Sequence, residues 1–353
     1  MMISIRLGKR LIHDNSTPYI IAEIGVNHEC SILKAKKLIL KAKKGGADAA
    51  KFQTYKAELI TSKNSPSYWD TTKEKTRSQY KLFKKYDQFN ESEYLKLYEY
   101  CKEINIDFAS TPFDHKAVDM LNPLVSYFKI SSSDITNFPL LKKVASKKKP
   151  VLLSTGASSI LEIKDAINFL KKNKCHNIVI MHCILNYPTL DEDANLGMIK
   201  DLKNKFPNYV IGYSDHTLPS AEMQNIIIAS ALGAKVIEKH FTLDKKLKGN
   251  DHYHSMDFND LKNLRKRLTL TKKILGKNNK TYLKSEINSR KFARRSLVCT
   301  KDLPKNHKIT KIDIICKRPG TGIFPINLKK VIGKRLKKNV KEDYILQWTD
   351  FKK

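Results

Sequence analysis

The sequence predicts an α/β protein: a (β/α)8 TIM barrel followed by a small β-rich domain. Three observations carry that reading. Eight short apolar runs alternate with segments of helical period between Tyr19 and Leu275, as a parallel sheet buried on both faces requires. No glycine-rich phosphate fingerprint follows the first run, which argues against the rival, an open doubly wound sheet. Beyond residue 277 the helical rhythm stops, and short strand-like runs separated by turns replace it.

Taken in order, residues 3–14 read as a small hairpin ahead of the first barrel strand, placed to plug the barrel's bottom. The strand runs are YIIAEIG (19–25), AAKFQTY (49–55), DFASTPF (107–113), YFKISSS (127–133), PVLLSTG (150–156), NIVIMHC (177–183), YVIGYSD (209–215) and AKVIEKHF (234–241). Helical segments are expected at 31–44, 92–104, 138–146, 160–173, 195–205, 219–231 and 258–275. Residues 56–90 are polar, aromatic and too long for a simple connection. Falling after the second strand, they reach the C-terminal rim, where they read either as a lid or as a variable surface loop. The barrel unit spans 1–277, a charged and weakly periodic linker spans 278–294, and the second domain spans 295–353 with the runs SLVCT, DIICKR and YILQW.

Composition narrows the function classes. At 353 residues with 41% hydrophobic content, the chain can bury a large core. No apolar run approaches the roughly 20 residues a membrane helix needs. The start, MMISIRLGKRLIHDN, lacks the apolar core of a secretion signal, so the chain is expected in the cytoplasm, not at a membrane. Six scattered cysteines without C-x-x-C pairs fit reduced thiols there. The formal charge of +32 is mostly lysine spread over amphipathic helices such as SILKAKKLILKAKK. No basic helix is interleaved with aromatics, so a nucleic-acid partner is not expected; the charge favours anionic small molecules.

Chemistry in such a barrel gathers at the C-terminal strand ends. Polar residues cluster there on strand after strand: Glu23, Lys51 with Gln53, Thr111, Lys129 with Ser132, Ser154, His182, Ser214 with Asp215 and His216, and Glu238 with His240. One such residue is more often a satisfied core polar group. Eight strand ends carrying them are not an accident of packing, because each buried polar group costs free energy unless paired. Lys51 and Lys129 with the hydroxyls of Thr111, Ser132, Ser154 and Ser214 suit phosphate and carboxylate. His216 and His240, from neighbouring strands, suit Mn²⁺, Fe²⁺, Co²⁺ or Zn²⁺, with water or substrate oxygen completing the shell. His252 and His254, farther along the tract GNDHYHSMD, read as rim residues.

The motifs IAEIGVNH, AAKFQTY, FASTPFD, FKISSSDITNFPLL, LLSTGAS, HCILNYPT, IGYSDHT, VIEKHFTLDK and GNDHYHSMD, in this order, resemble those of the sialic acid synthases. The tail segments RRSLVCTKDLPKNHKIT and KRPGTGI resemble that family's SAF (antifreeze-like, β-clip) domain. The resemblance implies condensation of phosphoenolpyruvate with an N-acylated mannose-type aldose to a nine-carbon 2-keto acid. It implies a divalent metal, usually Mn²⁺ with Mg²⁺ or Co²⁺ as alternatives, on His216 and His240. It places phosphoenolpyruvate against Lys51, Thr111, Lys129, Ser132, Ser154 and Ser214. Glu23, Gln53, Phe113, Asp134, Tyr187 and Asp251 would surround the sugar and the reacting carbons. It further implies a homodimer with swapped SAF domains, in which Arg318 reaches the partner's sugar site.

Two positions depart from the family pattern: Asp134 stands where many members have glutamate, and Leu185 where they often have Asn or Ser. The aldose therefore stays open between N-acetylmannosamine and the diacetamido-trideoxy hexoses that lead to legionaminic- or pseudaminic-type acids. By the resemblance, Glu23, Asp134 and Asp251 are the catalytic candidates. A Schiff-base aldolase using Lys51 or Lys129 and a polyanion-binding barrel are the rival readings.

Overall fold

The chain divides into two compact units, residues 1–276 and 277–353. The computed structural model describes residues 3–249, 251–277 and 279–352. The first unit opens with an antiparallel hairpin, β1 (Ser4–Leu7) and β2 (Arg10–His13). Eight parallel strands follow: β3 (Tyr19–Gly25), β4 (Ala49–Thr54), β5 (Asp107–Pro112), β6 (Phe128–Ile130), β7 (Val151–Ser154), β8 (Ile178–Cys183), β9 (Val210–Asp215) and β10 (Val236–His240). They run in chain order around a ring, and β10 returns to pair with β3, Val236 opposite Tyr19. β5 and β6 lie side by side, with no hydrogen-bonded ladder between them among the described residues.

The helices are α1 (Ile32–Gly45), α2 (Ala57–Ile60), α3 (Gln79–Tyr86), α4 (Glu91–Glu103), α5 (His115–Leu121), α6 (Phe138–Ala145), α7 (Ile160–Lys172), α8 (Gly197–Lys205), α9 (Gln224–Ala231) and α10 (Phe258–Leu275). Helix α1 shows how the lysine-rich segments fold. Ser31 caps it through the Lys34 amide, Ala35, Leu38, Ile39 and Ala42 form a buried stripe, and Gly46 ends it at φ +95°.

Period-2 alternation divides each strand between two cores. Ala22, Ile24, Phe52, Phe128, Leu153, Ile180, Tyr213 and Ile237 face outward into the layer shared with the helices. Tyr19, Ile21, Ala49, Ala109, Tyr127, Leu152, Val179, Met181, Val210 and Val236 face inward. That inner cluster also contains Ile5, Leu7 and Ile12 of the hairpin, so the hairpin closes the bottom as the sequence suggests. Burying each such aliphatic side chain contributes about 1.5–3 kcal/mol.

Helix α9 begins at Gln224, five residues after the expected 219, and three further segments differ from expectation. Helix α5 was not visible because it is only seven residues long and buries just Ala117, Val118 and Leu121, too few for a period; Asp114 starts it by accepting from the Ala117 amide. The 56–90 segment is not featureless: it contains α2 and α3, and a Pro66–Ser78 bridge closes the loop between them. The segment expected as linker carries a helix, α11 (Ile287–Ala293).

The second unit pairs β11 (Ser296–Cys299) antiparallel with β12 (Ile314–Lys317), and adds a short helix, α12 (Leu328–Val331). Leu297, Leu303, Ile309, Ile323, Val331, Leu336, Val340, Leu346 and Phe351 form its core.

Candidate active site

Following the inward-facing residues up each strand, the lining changes from apolar to charged within one pleat. After Ile21 comes Glu23; after Ala49 come Lys51 and Gln53; after Tyr127 comes Lys129; after Val236 come Glu238 and His240. The change places a polar layer directly on an apolar one, so its ionic groups sit in a low-dielectric floor.

Two ammonium groups and two carboxylates meet in that layer. Lys51 Nζ lies 2.7 Å from Glu23 Oε2 and 3.6 Å from Glu238 Oε1, and donates to Thr111 Oγ1 at 3.0 Å. Lys129 Nζ donates to the same Glu238 oxygen at 2.8 Å, and Ser214 Oγ donates to it at 3.3 Å. Gln53 Nε2 donates to Glu23 Oε1 at 3.1 Å. All four charged groups are buried. Burial raises the Glu23 carboxyl above its ordinary range although Lys51 opposes the shift. Burial would raise Glu238 too, but Lys129 and Lys51 together hold it below the ordinary carboxylate range. The environments thus push the two acids apart: Glu238 stays anionic, and Glu23 is the one able to carry a proton. Ser154 Oγ and Glu238 Oε2 are buried with no hydrogen-bond partner among the described residues, as expected of groups that await one.

The imidazoles stand beside this floor. His216 Nδ1 lies 2.8 Å from the Ile184 carbonyl, which can only accept, so Nδ1 carries the hydrogen and Nε2 the lone pair. Burial, with His240 adjacent, pushes His216 down to about 3, so it is neutral. His240 Nδ1 lies 3.4 Å from Asp251 Oδ2, and the two rings are 5.6 Å apart. Behind them Lys239 and Asp215 pair at 2.7 Å on the outer faces of β10 and β9. That buried bridge fixes the strand ends that carry both histidines.

Above the floor opens a cavity of about 560 Å³. Gln53, Phe113, Asp134, Leu185, Tyr187, His240 and Asp251 line it. Its upper wall is the 56–90 segment, which contributes Leu59, Ile60, Tyr68, Trp69, Phe83 and Tyr86. Trp69 is anchored by its Nε1 donating to the Glu74 and Thr76 carbonyls, and Lys56 ties the base by donating to the Asp87 and Phe89 carbonyls. The segment therefore covers the cavity, as the lid reading requires.

The sequence-predicted residues converge with differences of place. Glu23, Lys51, Thr111, Lys129 and Ser214 share the floor network; Ser132 accepts from the Gly156 amide at 2.9 Å nearby. Asp134 sits on the cavity wall, accepts from Asn137 Nδ2 at 3.1 Å, and shares no hydrogen bond or ion pair with the floor among the described contacts. Burial raises its carboxyl above the usual range. Arg318 is exposed on the second unit, just after β12. The rim placement of His252 and His254 is corrected: they are 3% and 0% exposed. Their loop folds back over the strand ends, with Met256 N bonding the His240 carbonyl and Thr242 N the Met256 carbonyl. His252 bridges Thr242 Oγ1 at 2.7 Å and Glu29 at 3.2 Å, a clamp holding the loop shut. Glu238 was visible as a polar strand end, but its contact with both lysines was not.

Comparison with known proteins agrees with this architecture. Residues 38–280 match the NeuB family, and residues 294–352 match the SAF domain. The chain is 43% identical over 350 residues to an uncharacterized protein of Methanocaldococcus jannaschii, covering 99% of each. It is 39% identical over 342 residues to N,N'-diacetyllegionaminic acid synthase of Legionella pneumophila, covering 94% of each. The crystal structure of N-acetylneuraminic acid (sialic acid) synthetase from Leptospira borgpetersenii, in complex with citrate, superposes with a TM-score of 0.73 at 35% identity, over 82% of this chain and 95% of that one. The protein belongs to the NeuB family of sialic acid synthase-type proteins, a barrel with a C-terminal SAF domain.

Proposed function

We propose that the protein condenses phosphoenolpyruvate with an N-acylated mannose-type aldose, releasing phosphate and forming a nine-carbon 2-keto acid such as N-acetylneuraminate. The observation that carries this reading is the floor itself. Two buried ammonium groups, a depressed carboxylate, an acid able to hold a proton and several hydroxyls lie beside two imidazoles, beneath a cavity of sugar size.

In this reading Lys51, Lys129, Thr111, Ser132, Ser154 and Ser214 bind the phosphate and carboxylate of phosphoenolpyruvate and aim its C3 at the aldehyde carbon. Gln53, Phe113, Tyr187 and Asp251 hold the open-chain sugar. The donor set fits a divalent ion such as Mn²⁺, with Mg²⁺ or Co²⁺ as alternatives. His216 Nδ1 is spent on a carbonyl, which leaves Nε2 as its ligating atom, and His240 faces the same space from the neighbouring strand. Such an ion, when bound, would supply Lewis-acid polarisation of the aldehyde oxygen. Bond formation from C3 leaves positive character at C2, which Glu23 faces from the floor and Asp134 from the wall. Glu23 steers water onto C2; the resulting tetrahedral carbon expels phosphate by C–O cleavage, leaving the ketone. One water is consumed and one phosphate released: of the water's two protons, one ends on the new hydroxyl formed from the aldehyde oxygen and the other on the departing phosphate.

A second copy of the chain is proposed to supply Arg318 to the sugar's N-acyl group, in a homodimer with swapped SAF domains. A cytoplasmic setting is consistent with six free thiols, and no helix among the described residues is long and apolar enough to cross a membrane. A diacetamido-trideoxy hexose is the second reading of the aldose, favoured by the aromatic lid wall and Leu185, which suit a methyl and acyl groups better than hydroxyls. A panel of purified aldoses with phosphoenolpyruvate and Mn²⁺, followed by phosphate release, tests both. Turnover with none of them rejects the proposal. Borohydride trapping of an imine on either lysine would favour the aldolase instead.

A further inference from the structure

His254 is the feature of the site that the proposed chemistry leaves unused. It is 0% exposed, and neither ring nitrogen has a hydrogen-bond partner among the described residues. Its position is well fixed. Ser255 N bonds the His252 carbonyl, Ser255 Oγ accepts from Asn27 Nδ2, and Met256 N bonds the His240 carbonyl. The ring lies edge-on to His240 at 4.8 Å and to Tyr253 at 5.2 Å. Those ring contacts would be served as well by phenylalanine, without sealing two polar nitrogens away from water. An imidazole kept there at that cost calls for a ligand.

The neighbours say which kind. His254 Nε2 stands 3.8 Å from Asp251 Oδ1, and His240 Nδ1 stands 3.4 Å from Asp251 Oδ2. One donor atom from each of His240, Asp251 and His254 lies within 4.8 Å of the other two. Adjacent donors on a transition ion with bonds of about 2.1 Å stand roughly 3 Å apart, so a small inward shift brings all three into one shell. We propose that His254 is a metal ligand, completing with His240 and Asp251 a two-histidine, one-carboxylate site for a divalent first-row transition ion at the barrel mouth. This rests on the reading that the mouth holds such an ion, and it adds residues to the pair His216 and His240. With His216 the shell holds three imidazole nitrogens and one carboxylate oxygen, which favours Mn²⁺, Fe²⁺, Co²⁺ or Zn²⁺ over Mg²⁺, an ion that prefers an all-oxygen shell.

The test is metal binding by the metal-free full-length protein, read by calorimetry with Mn²⁺ and by the visible absorption of Co²⁺. His254→Phe keeps the ring packing and removes both nitrogens; His254→Gln keeps polarity and serves if the first variant does not fold. The expected result is at least tenfold weaker binding in the folded variant, with a changed Co²⁺ spectrum. Binding within twofold of the wild type and an unchanged spectrum overturn the assignment. If His216→Ala then loses the ion while the His254 variant keeps it, the two-imidazole reading survives alone. If the wild-type protein binds no divalent ion, both readings fall.

Discussion

Lys51 and Lys129 both lean on one oxygen of Glu238, so removing that carboxylate alters the whole floor. Glu238→Gln keeps the shape but leaves two buried cations with one weakly acidic partner. The expected outcome is a fall in kcat/KM of about 100-fold or more, on the order of 2.7 kcal/mol of transition-state stabilisation, in steady-state assays. An equally large loss is expected at the imidazoles. His216→Ala or His240→Ala should abolish Mn²⁺-stimulated turnover in chelator-treated protein, and full activity there would refute their role. Most of these positions were legible because period-2 geometry sends Lys51 and Gln53, or Glu238 and His240, to one face. The Lys129–Glu238 contact was not, because it joins residues 109 apart across the barrel and depends on ring closure. His254 was misplaced for a related reason: nothing in a polar tract shows that its loop folds inward.

Among the elements, the strands and long helices could be read directly, since apolar runs and a 3.6-residue period leave a strong mark. The lid could be placed but not resolved, because α2 and α3 have four and eight residues and each leaves only a weak pattern. Its order depends on Trp69, buried at 7% exposure and fixed by two carbonyls. Trp69→Ala should raise KM for the aldose by roughly tenfold with little change in kcat, because it removes binding surface and no contact to the reacting atoms. Limited proteolysis of the variant should cut first between residues 62 and 78. An unchanged cleavage pattern and KM would mean that the segment is not a lid.

For the molecule as a whole, the charge of +32 is distributed over solvated lysine faces such as that of α1, while the site gathers two cations where an anion would bind. The change of rhythm near residue 277 coincides with the division into two compact units; a homodimer with swapped arms would leave no periodic mark and rests on the family resemblance alone. If a partner supplies Arg318, Arg318→Ala should raise KM for the aldose more than for phosphoenolpyruvate. Mixing it with His240→Ala should then restore activity, since in each mixed dimer one barrel is intact and receives an intact arginine. After re-equilibration about a quarter of wild-type activity is expected; no restoration would place the arginine in its own chain's site or in none.

The reaction itself is tested by supplying the purified protein with Mn²⁺, the aldose panel and phosphoenolpyruvate carrying ¹⁸O in the bridging C–O–P position, and following the label by mass spectrometry. Condensation with C–O cleavage gives aldose-dependent release of phosphate that retains the label, with unlabelled oxygen at C2 of the keto acid. Label left in the keto acid, or no phosphate with any aldose, would contradict it.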